Sequence, residues 1–447
     1  MKYNFDEITE RRGTGCVKWD EKPPTTSTLY SPSSQGGAGG ESALIPLWVA
    51  DMDFRAAPAI QEALRKRMEH GVFGYTVVGD EYYEAIISWF HRRHQWEIRR
   101  EEIRYTTGVV PAMSVAIKAL TMPGEKVLIL SPDYNCFFSS IRNNGCEVSE
   151  SSLRSVECRV ESVEFATALP SAQPASEVAN STLRAVANST LYTQHSTLNT
   201  RNSTFEIDWQ DFEARCADEK TTVFLLCNPH NPTGRVWTRE ELERMNDICM
   251  KHGVVVVSDE IHCELIMPGH RFQPFAAVSE ACRQNSVILN SPSKSFNIAG
   301  LQIANIICAR ADWRRRLDRA ININEVCDVN PFGPVALVAA YNESEDWIDA
   351  LNDYLWGNYR ALCDFAAQHL PHWHVCQLQG TYLPWVDIRA TGLTSQQYAD
   401  LLLEKAAVWV NPGTMYGPQS GEGYIRLNIA CPRSLLMEAL QRIKTNC

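Results

Sequence analysis

From about residue 105 the chain alternates between short apolar runs and helical stretches. Residues 127–130, 222–226, 254–257, 287–289 and 303–307 read as buried strands. Between two of them Thr238-Arg239-Glu240-Glu241 forms a capping box that opens a helix, and Gly253 ends it. Alternation of this kind builds an open, mostly parallel sheet with helices on both faces. In such sheets ligands sit at the C-terminal ends of the strands. The residues that follow each apolar run are therefore the first place to look for chemistry.

The rest of the chain divides around this core. Residues 1–45 are polar, end in a Ser/Gly-rich stretch and read as an N-terminal arm with a flexible loop. Pro58 opens a helix with Ile60, Ala63, Leu64 and Met68 on one face and Gly71 as its stop. Residues 46–315 form the large domain. Within it, 151–204 is a low-complexity insertion in which Asn-Ser-Thr-Leu-like units recur. Residues 316–447 supply a linking helix and a smaller domain, with helices near 347–368 and 395–405 and strands near 382–388 and 424–430.

Charge and cysteine usage exclude several function classes. The 447 residues carry a net charge of −11 with no long basic run, so a phosphate backbone would repel the chain. Arg92, Arg93, Arg99 and Arg100 read as a solvated face beside Trp89 and Phe90. The 15 cysteines are scattered singly without metal-ligand spacing, which implies reduced thiols and no metal site. The acidic start is unlike a signal peptide and no run is long enough for a membrane span, so the expected location is cytoplasmic.

Six positions then stand out. Lys294, in Ser291-Pro292-Ser293-Lys294-Ser295-Phe296, directly follows the run 287–290. Burial there lowers an ammonium pKa and frees the amine to attack an aldehyde. Asp259 ends the run 254–257, where a carboxyl can partner a pyridine nitrogen. Cys227-Asn228-Pro229-His230-Asn231-Pro232-Thr233-Gly234 follows a third strand end, and an amide there can donate to a phenolic oxygen. Thr107-Gly108-Val109-Val110-Pro111-Ala112 opens a helix whose free N–H groups suit a phosphate, with Ser291 and Ser293 as further donors. Tyr134, past the run 127–130, can stack on a ring. Arg426 alternates off the face of Ile425, Leu427 and Ile429, where it can hold a carboxylate in a bidentate pair. Each alone is ordinary: a loop lysine, a helix cap, a turn, a core aromatic, a salt bridge. Their order along one sheet is what makes them specific.

In this order the motifs resemble the fold-type I pyridoxal-phosphate (PLP) enzymes of the class I/II aminotransferase superfamily. Within it they are most similar to the MalY/PatB group of cystathionine β-lyases. The narrower likeness rests on four stretches: Leu47-Trp48-Val49-Ala50-Asp51-Met52-Asp53-Phe54, Gly71-Val72-Phe73-Gly74-Tyr75-Thr76, Ser258-Asp259-Glu260-Ile261-His262, and Ser293-Lys294-Ser295-Phe296-Asn297-Ile298-Ala299-Gly300-Leu301. The resemblance implies that Lys294 carries PLP as a Schiff base, Asp259 partners its ring nitrogen and Asn231 its phenolic oxygen. It implies that Tyr134 stacks on the ring, that Val110, Ala112, Ser291 and Ser293 surround the phosphate, and that Arg426 and Ala50 bind substrate. Tyr75 resembles a tyrosine that reaches the neighbouring subunit's phosphate, which implies a homodimer. Two positions depart from standard aminotransferases. Gln302 stands where an arginine for the phosphate is expected, and His262 stands where a tyrosine often lies near the phenolic oxygen.

The reaction implied is α,β-elimination from cystathionine or another cysteine S-conjugate, giving a thiol, pyruvate and ammonia. Transamination shares the first half of that reaction, and residue types do not separate the two. A protein-binding regulatory role on the same fold is the alternative of a different class.

Overall fold

A computed structural model describes residues 2–23, 43–158, 202–323 and 328–447. Its strands in chain order are β1 (Ile45–Pro46), β2 (Ile103–Thr106), β3 (Lys126–Ser131), β4 (Glu147–Ser152), β5 (Arg154–Cys158), β6 (Asn202–Glu206), β7 (Thr221–Cys227) and β8 (Val255–Asp259). They continue as β9 (Ser286–Asn290), β10 (Ala304–Ile307), β11 (His374–Val375), β12 (Trp385–Asp387), β13 (Val408–Trp409), β14 (Asn411–Pro412) and β15 (Tyr424–Arg426).

The apolar runs split residue by residue between two cores. Leu128, Leu130, Phe224, Leu226 and Val256 face one cluster, while Val127, Ile129, Val223, Leu225 and Val257 face the other. A side chain buried this way contributes about 1.5–3 kcal/mol, so both faces must be covered. Helices Val109–Leu120, Asn135–Asn143 and Ala311–Ile323 cover one face, and Trp209–Cys216 and Arg239–Lys251 the other. The resulting seven-stranded sheet has the order β2-β10-β9-β8-β7-β3-β4. Neighbours from β9 to β4 are parallel, and β10 alone runs against both β9 and β2. Because β2 then points the same way as the parallel set, β2, β3, β7, β8 and β9 all end on one edge. That edge gathers the loops that carry Val110, Tyr134, Asn231, Asp259 and Lys294.

A second, antiparallel sheet has the order β11-β12-β15-β14 and presents Arg426 at the end of β15. β1 pairs in parallel with β13, Ile45 opposite Val408 and Pro46 opposite Trp409. The strand thus straddles the boundary expected at residue 45/46 and ties the stretch before the 48–54 loop to the C-terminal part of the chain.

Three expectations need correction. On helix Pro58–Glu69 the apolar face is only partly used: Ile60 is buried, but Met68 is 61% exposed. Arg93 is not on a solvated face. It reaches Glu264 at 3.4 Å and Asp349 at 2.8 Å, because Glu264 is itself buried and needs a cation. The two ends of the expected insertion are packed strands: Ser151 and Ser152 lie in β4, and β5 pairs with β6, Cys158 opposite Asn202. Phe205 is buried, which a solvated repeat would not provide. The middle of that insertion and the Ser/Gly-rich stretch lie outside the described residues. Among the described residues no helix is long and apolar enough to cross a membrane.

Candidate active site

Lys294 follows β9 in a turn fixed by Ser291. The Ser291 hydroxyl donates to Ile303 O at 2.5 Å and accepts the Ser293 N–H at 3.0 Å. Its hydroxyl proton is therefore taken inside the turn, whereas the Ser293 side chain is half-buried and bonded to no described residue. From this turn the half-buried Lys294 donates from Nζ to Ala50 O at 2.7 Å. Burial lowers the pKa of its amine below the usual ammonium range; Asp51 opposes that and Arg426 adds to it.

Ala50 sits in the 48–54 loop, which is held from every side. Asn428 donates to Val49 O and Asp51 O, and Asn297 donates to Met52 O and Phe54 O. Arg11 pairs with Asp51 at 2.5 Å and with Asp53 at 2.7 Å, and the fully buried Lys18 pairs with Asp53 at 2.7 Å. These pairs join the N-terminal segment to the wall of the site.

Asp259 ends β8 beside Cys227 of β7 and Leu289 of β9. Burial pushes its carboxyl up to about 7, against a bond from the Ile261 N–H at 3.1 Å and the nearby Lys294 amine. His262, in the turn that follows, is buried with its Nδ1 unpartnered. Loss of solvent, then Lys294 and Arg426, hold its pKa down at about 3, so its ring is neutral.

Arg426 donates to Asn231 Oδ1 at 3.1 Å and to Trp48 O at 3.0 Å, and lies 4.7 Å above the Tyr416 ring. Among the described residues no carboxylate pairs with it, and its buried Nε has no partner. The bond to Asn231 has a chemical consequence. With the amide oxygen taken by the guanidinium, the Asn231 NH2 is left to donate elsewhere.

Tyr134 caps helix Asn135–Asn143, and its N–H donates to Asp133 Oδ1 at 2.7 Å. Burial raises its phenol pKa well above the ordinary value. At the start of helix Val109–Leu120 the N–H of Ala112 is already bonded to Gly108 O at 2.9 Å, and Pro111 has none. Ala112 is thus no donor to a phosphate; Val109 and Val110 hold the N–H groups that the helix start leaves open. Gln302 is exposed, and Tyr75 is 98% exposed and apart from the other residues within this chain.

Several residues at this site escaped sequence reasoning. Tyr382 is fully buried and donates to the same Ala50 carbonyl as Lys294, at 2.9 Å. Tyr416, Asn297, Arg11 and Lys18 hold the neighbouring groups. Tyr382 was legible only as the start of a strand, and Arg11 and Lys18 lie in a stretch without period.

The unpartnered His262 Nδ1 and Arg426 Nε and the proton-hungry Asp259 are costly to leave buried without a ligand. A phosphorylated pyridine aldehyde fits three of the groups gathered here. Its ring nitrogen suits Asp259, its aldehyde the Lys294 amine and its phenolic oxygen the free Asn231 NH2. A mostly parallel sheet with these groups at its C-terminal edge defines a fold-type I PLP enzyme. The chain belongs to the aminotransferase class I and II family, whose profile matches residues 44–180 and 185–443. It is 36% identical to cystathionine beta-lyase PatB of Bacillus subtilis, covering 99% of both chains. It is 32% identical to protein MalY of Escherichia coli, over 97% of this chain and 96% of MalY. The crystal structure of cystalysin from Treponema denticola, which contains a pyridoxal 5'-phosphate cofactor, superposes with a TM-score of 0.82 at 30% identity, covering 100% of this chain and 98% of that one.

Proposed function

We propose that this chain is a PLP-dependent carbon–sulfur β-lyase that cleaves L-cystathionine or a related cysteine S-conjugate. The observation that carries the reading is the Arg426 guanidinium, held over Tyr416 with no carboxylate partner among the described residues and close enough to Lys294 to lower the pKa of its amine. An amino-acid carboxylate is the ligand such a group accepts in bidentate fashion. The name of PatB, a cystathionine beta-lyase, directs the choice of reaction, as does His262 in place of a tyrosine.

When bound, PLP supplies an electron sink for the charge left as the substrate loses its α-proton. Arg426 fixes the substrate carboxylate, and the 48–54 loop touches both Arg426, through Trp48 O, and Lys294, through Ala50 O. The Lys294 amine, low in pKa through burial, takes the α-proton at its Nζ. The sulfur leaves the β-carbon with its bonding pair and takes up the proton held by Lys294, giving a thiol and a three-carbon enamine that one water converts to pyruvate and ammonia. Asp259 would hold the ring nitrogen's proton and Asn231 would donate to the phenolic oxygen, while neutral His262 packs edge-on against Tyr382. The Val109 and Val110 N–H groups and the Ser293 hydroxyl serve the phosphate. Tyr75 would complete that set from a second copy of the chain: it is fully exposed here beside the exposed Val72, Phe73 and Val77. The substrate is thus a small amino acid and the assembly a homodimer.

The test is product analysis with the purified protein and L-cystathionine. Pyruvate formed without an added keto acid, together with a visible absorbance band that Lys294→Ala abolishes, is expected. A band with no pyruvate, and amino transfer once a keto acid is supplied, would replace the lyase by an aminotransferase.

A further inference from the structure

Lys294 and Tyr382 donate to one acceptor. The lysine Nζ lies 2.7 Å from Ala50 O and the phenol oxygen 2.9 Å from that same atom. A carbonyl has two lone pairs, and these two donors use both. Because Asn428 ties the carbonyls on either side, Val49 O and Asp51 O, the Ala50 carbonyl is held where it is. Tyr382 is fully buried, with its ring edge-on to His262 at 6.0 Å between centroids. Phenylalanine would fill that space equally well, so packing does not account for the hydroxyl.

We propose that Tyr382 is a positioning residue for Lys294: it occupies one lone pair of the Ala50 carbonyl, so that the amine is parked on a shared, weakened acceptor and can leave it for the reacting carbon. This inference rests on the Lys294 chemistry of the proposed function, but not on which product follows, since α-proton removal is common to elimination and transamination.

A carbonyl already accepting from a phenol is a poorer acceptor for a second donor, and an ammonium gains more from a carbonyl than a neutral amine does. Removing the phenol therefore favours the ammonium form of Lys294. Of the other groups that bear on the amine, Asp51, Asp259 and Cys136 favour the ammonium and Arg426 disfavours it. His262 stays neutral. All five are unchanged in Tyr382→Phe. Burial raises the Tyr382 phenol's own pKa, so it remains a donor throughout the working range.

The experiment uses full-length protein stripped of cofactor and mixed with pyridoxal phosphate across a pH series, following growth of the visible band. Only the uncharged amine attacks the aldehyde, so the midpoint of the rate reports Lys294. In Tyr382→Phe the midpoint should move up by about one pH unit, a tenfold slower rate below it. Exchange of the α-proton of L-alanine in D2O by the reloaded protein should show its acid limb moved the same way, with KM changed less than about twofold. Tyr359→Phe removes a phenol bond of the same kind, to Cys376 O at 3.0 Å outside the site, and should leave the midpoint in place. Incorporating 3-fluorotyrosine at 382, a stronger donor that keeps the ring, should move the midpoint down, and it serves if Tyr382→Phe does not fold. An unmoved midpoint in a folded Tyr382 variant overturns the proposal. Failure to form pyruvate from cystathionine would overturn the lyase reading and leave this one standing.

Discussion

Asp259 sits in a position that only a ligand makes comfortable. Burial raises its carboxyl to about 7, and the neighbouring Glu260, bonded to the Phe275 N–H and the Ser258 hydroxyl, is raised to about 8, again by burial. Both acids hold protons more tightly folded than unfolded. Their stabilising effect is therefore complete below about pH 4 and is lost as pH rises through about 7 to 8. The cofactor-free protein should lose stability over that interval. The Asp259 share is up to about 4 kcal/mol, and Asp259→Asn should remove that share while leaving the part due to Glu260. Denaturant titrations across the pH range measure it. A protonated ring nitrogen favours the ionised acid, so loading with PLP should flatten the slope. Equal slopes in parent and variant would mean that Asp259 does not carry the titration.

The 48–54 loop and the N-terminal segment act as one element. Asp53 is buried with Lys18, Arg11 and Trp19 all bonded to it; burial alone would raise its pKa, and Lys18 foremost among those partners lowers it instead. Lys18→Met leaves a buried carboxylate short of a cation and should cost about 3–5 kcal/mol, read from the midpoint of denaturant unfolding. A loss under about 1 kcal/mol would show that Arg11 and Trp19 suffice. This clamp was not legible in the sequence, whereas the strand ends were. Apolar runs and capping boxes are local patterns, so the positions of Lys294, Asp259 and Asn231 follow from what precedes each of them. Arg11 meets Asp51 across forty residues of chain, and Tyr382 meets Ala50 across 332, with no period linking either pair. The inward turn of Ser291 and the spent N–H of Ala112 were hidden for a related reason, because a residue type does not reveal which of its donors is already taken. At the β5–β6 hairpin the local pattern misled: a run that reads as repeat is strand where it pairs. Since Cys158 opposes Asn202, joining them by an Asn-Gly turn in place of residues 159–201 should preserve the pairing. The shortened protein should keep its visible band and melt within about 4 °C of the parent. Loss of the band would give the removed segment a part in the site.

At the scale of the whole molecule, Tyr75 is the residue on which the proposed relation between sites and subunits turns. It is almost fully exposed, next to exposed Val72, Phe73 and Val77, and this chain's own site residues gather at the sheet edge without it. In the proposed two-fold dimer the same patch would serve both copies, and each chain would lend its tyrosine to the other's site. Two defective chains can test this together. Tyr75→Ala lacks the tyrosine it would lend but keeps its own Lys294, and Lys294→Ala has the reverse defect. When subunits of the two variants are mixed and reassociated, half the dimers are hybrids. In each hybrid, Lys294 of one chain meets Tyr75 of the other in one intact site, while both defects fall in the second. About a quarter of parental lyase activity should therefore return from two preparations that are nearly inactive apart, with sedimentation confirming a dimer throughout. If Tyr75 served the site of its own chain, every site in a hybrid would carry one defect, and mixing would restore nothing.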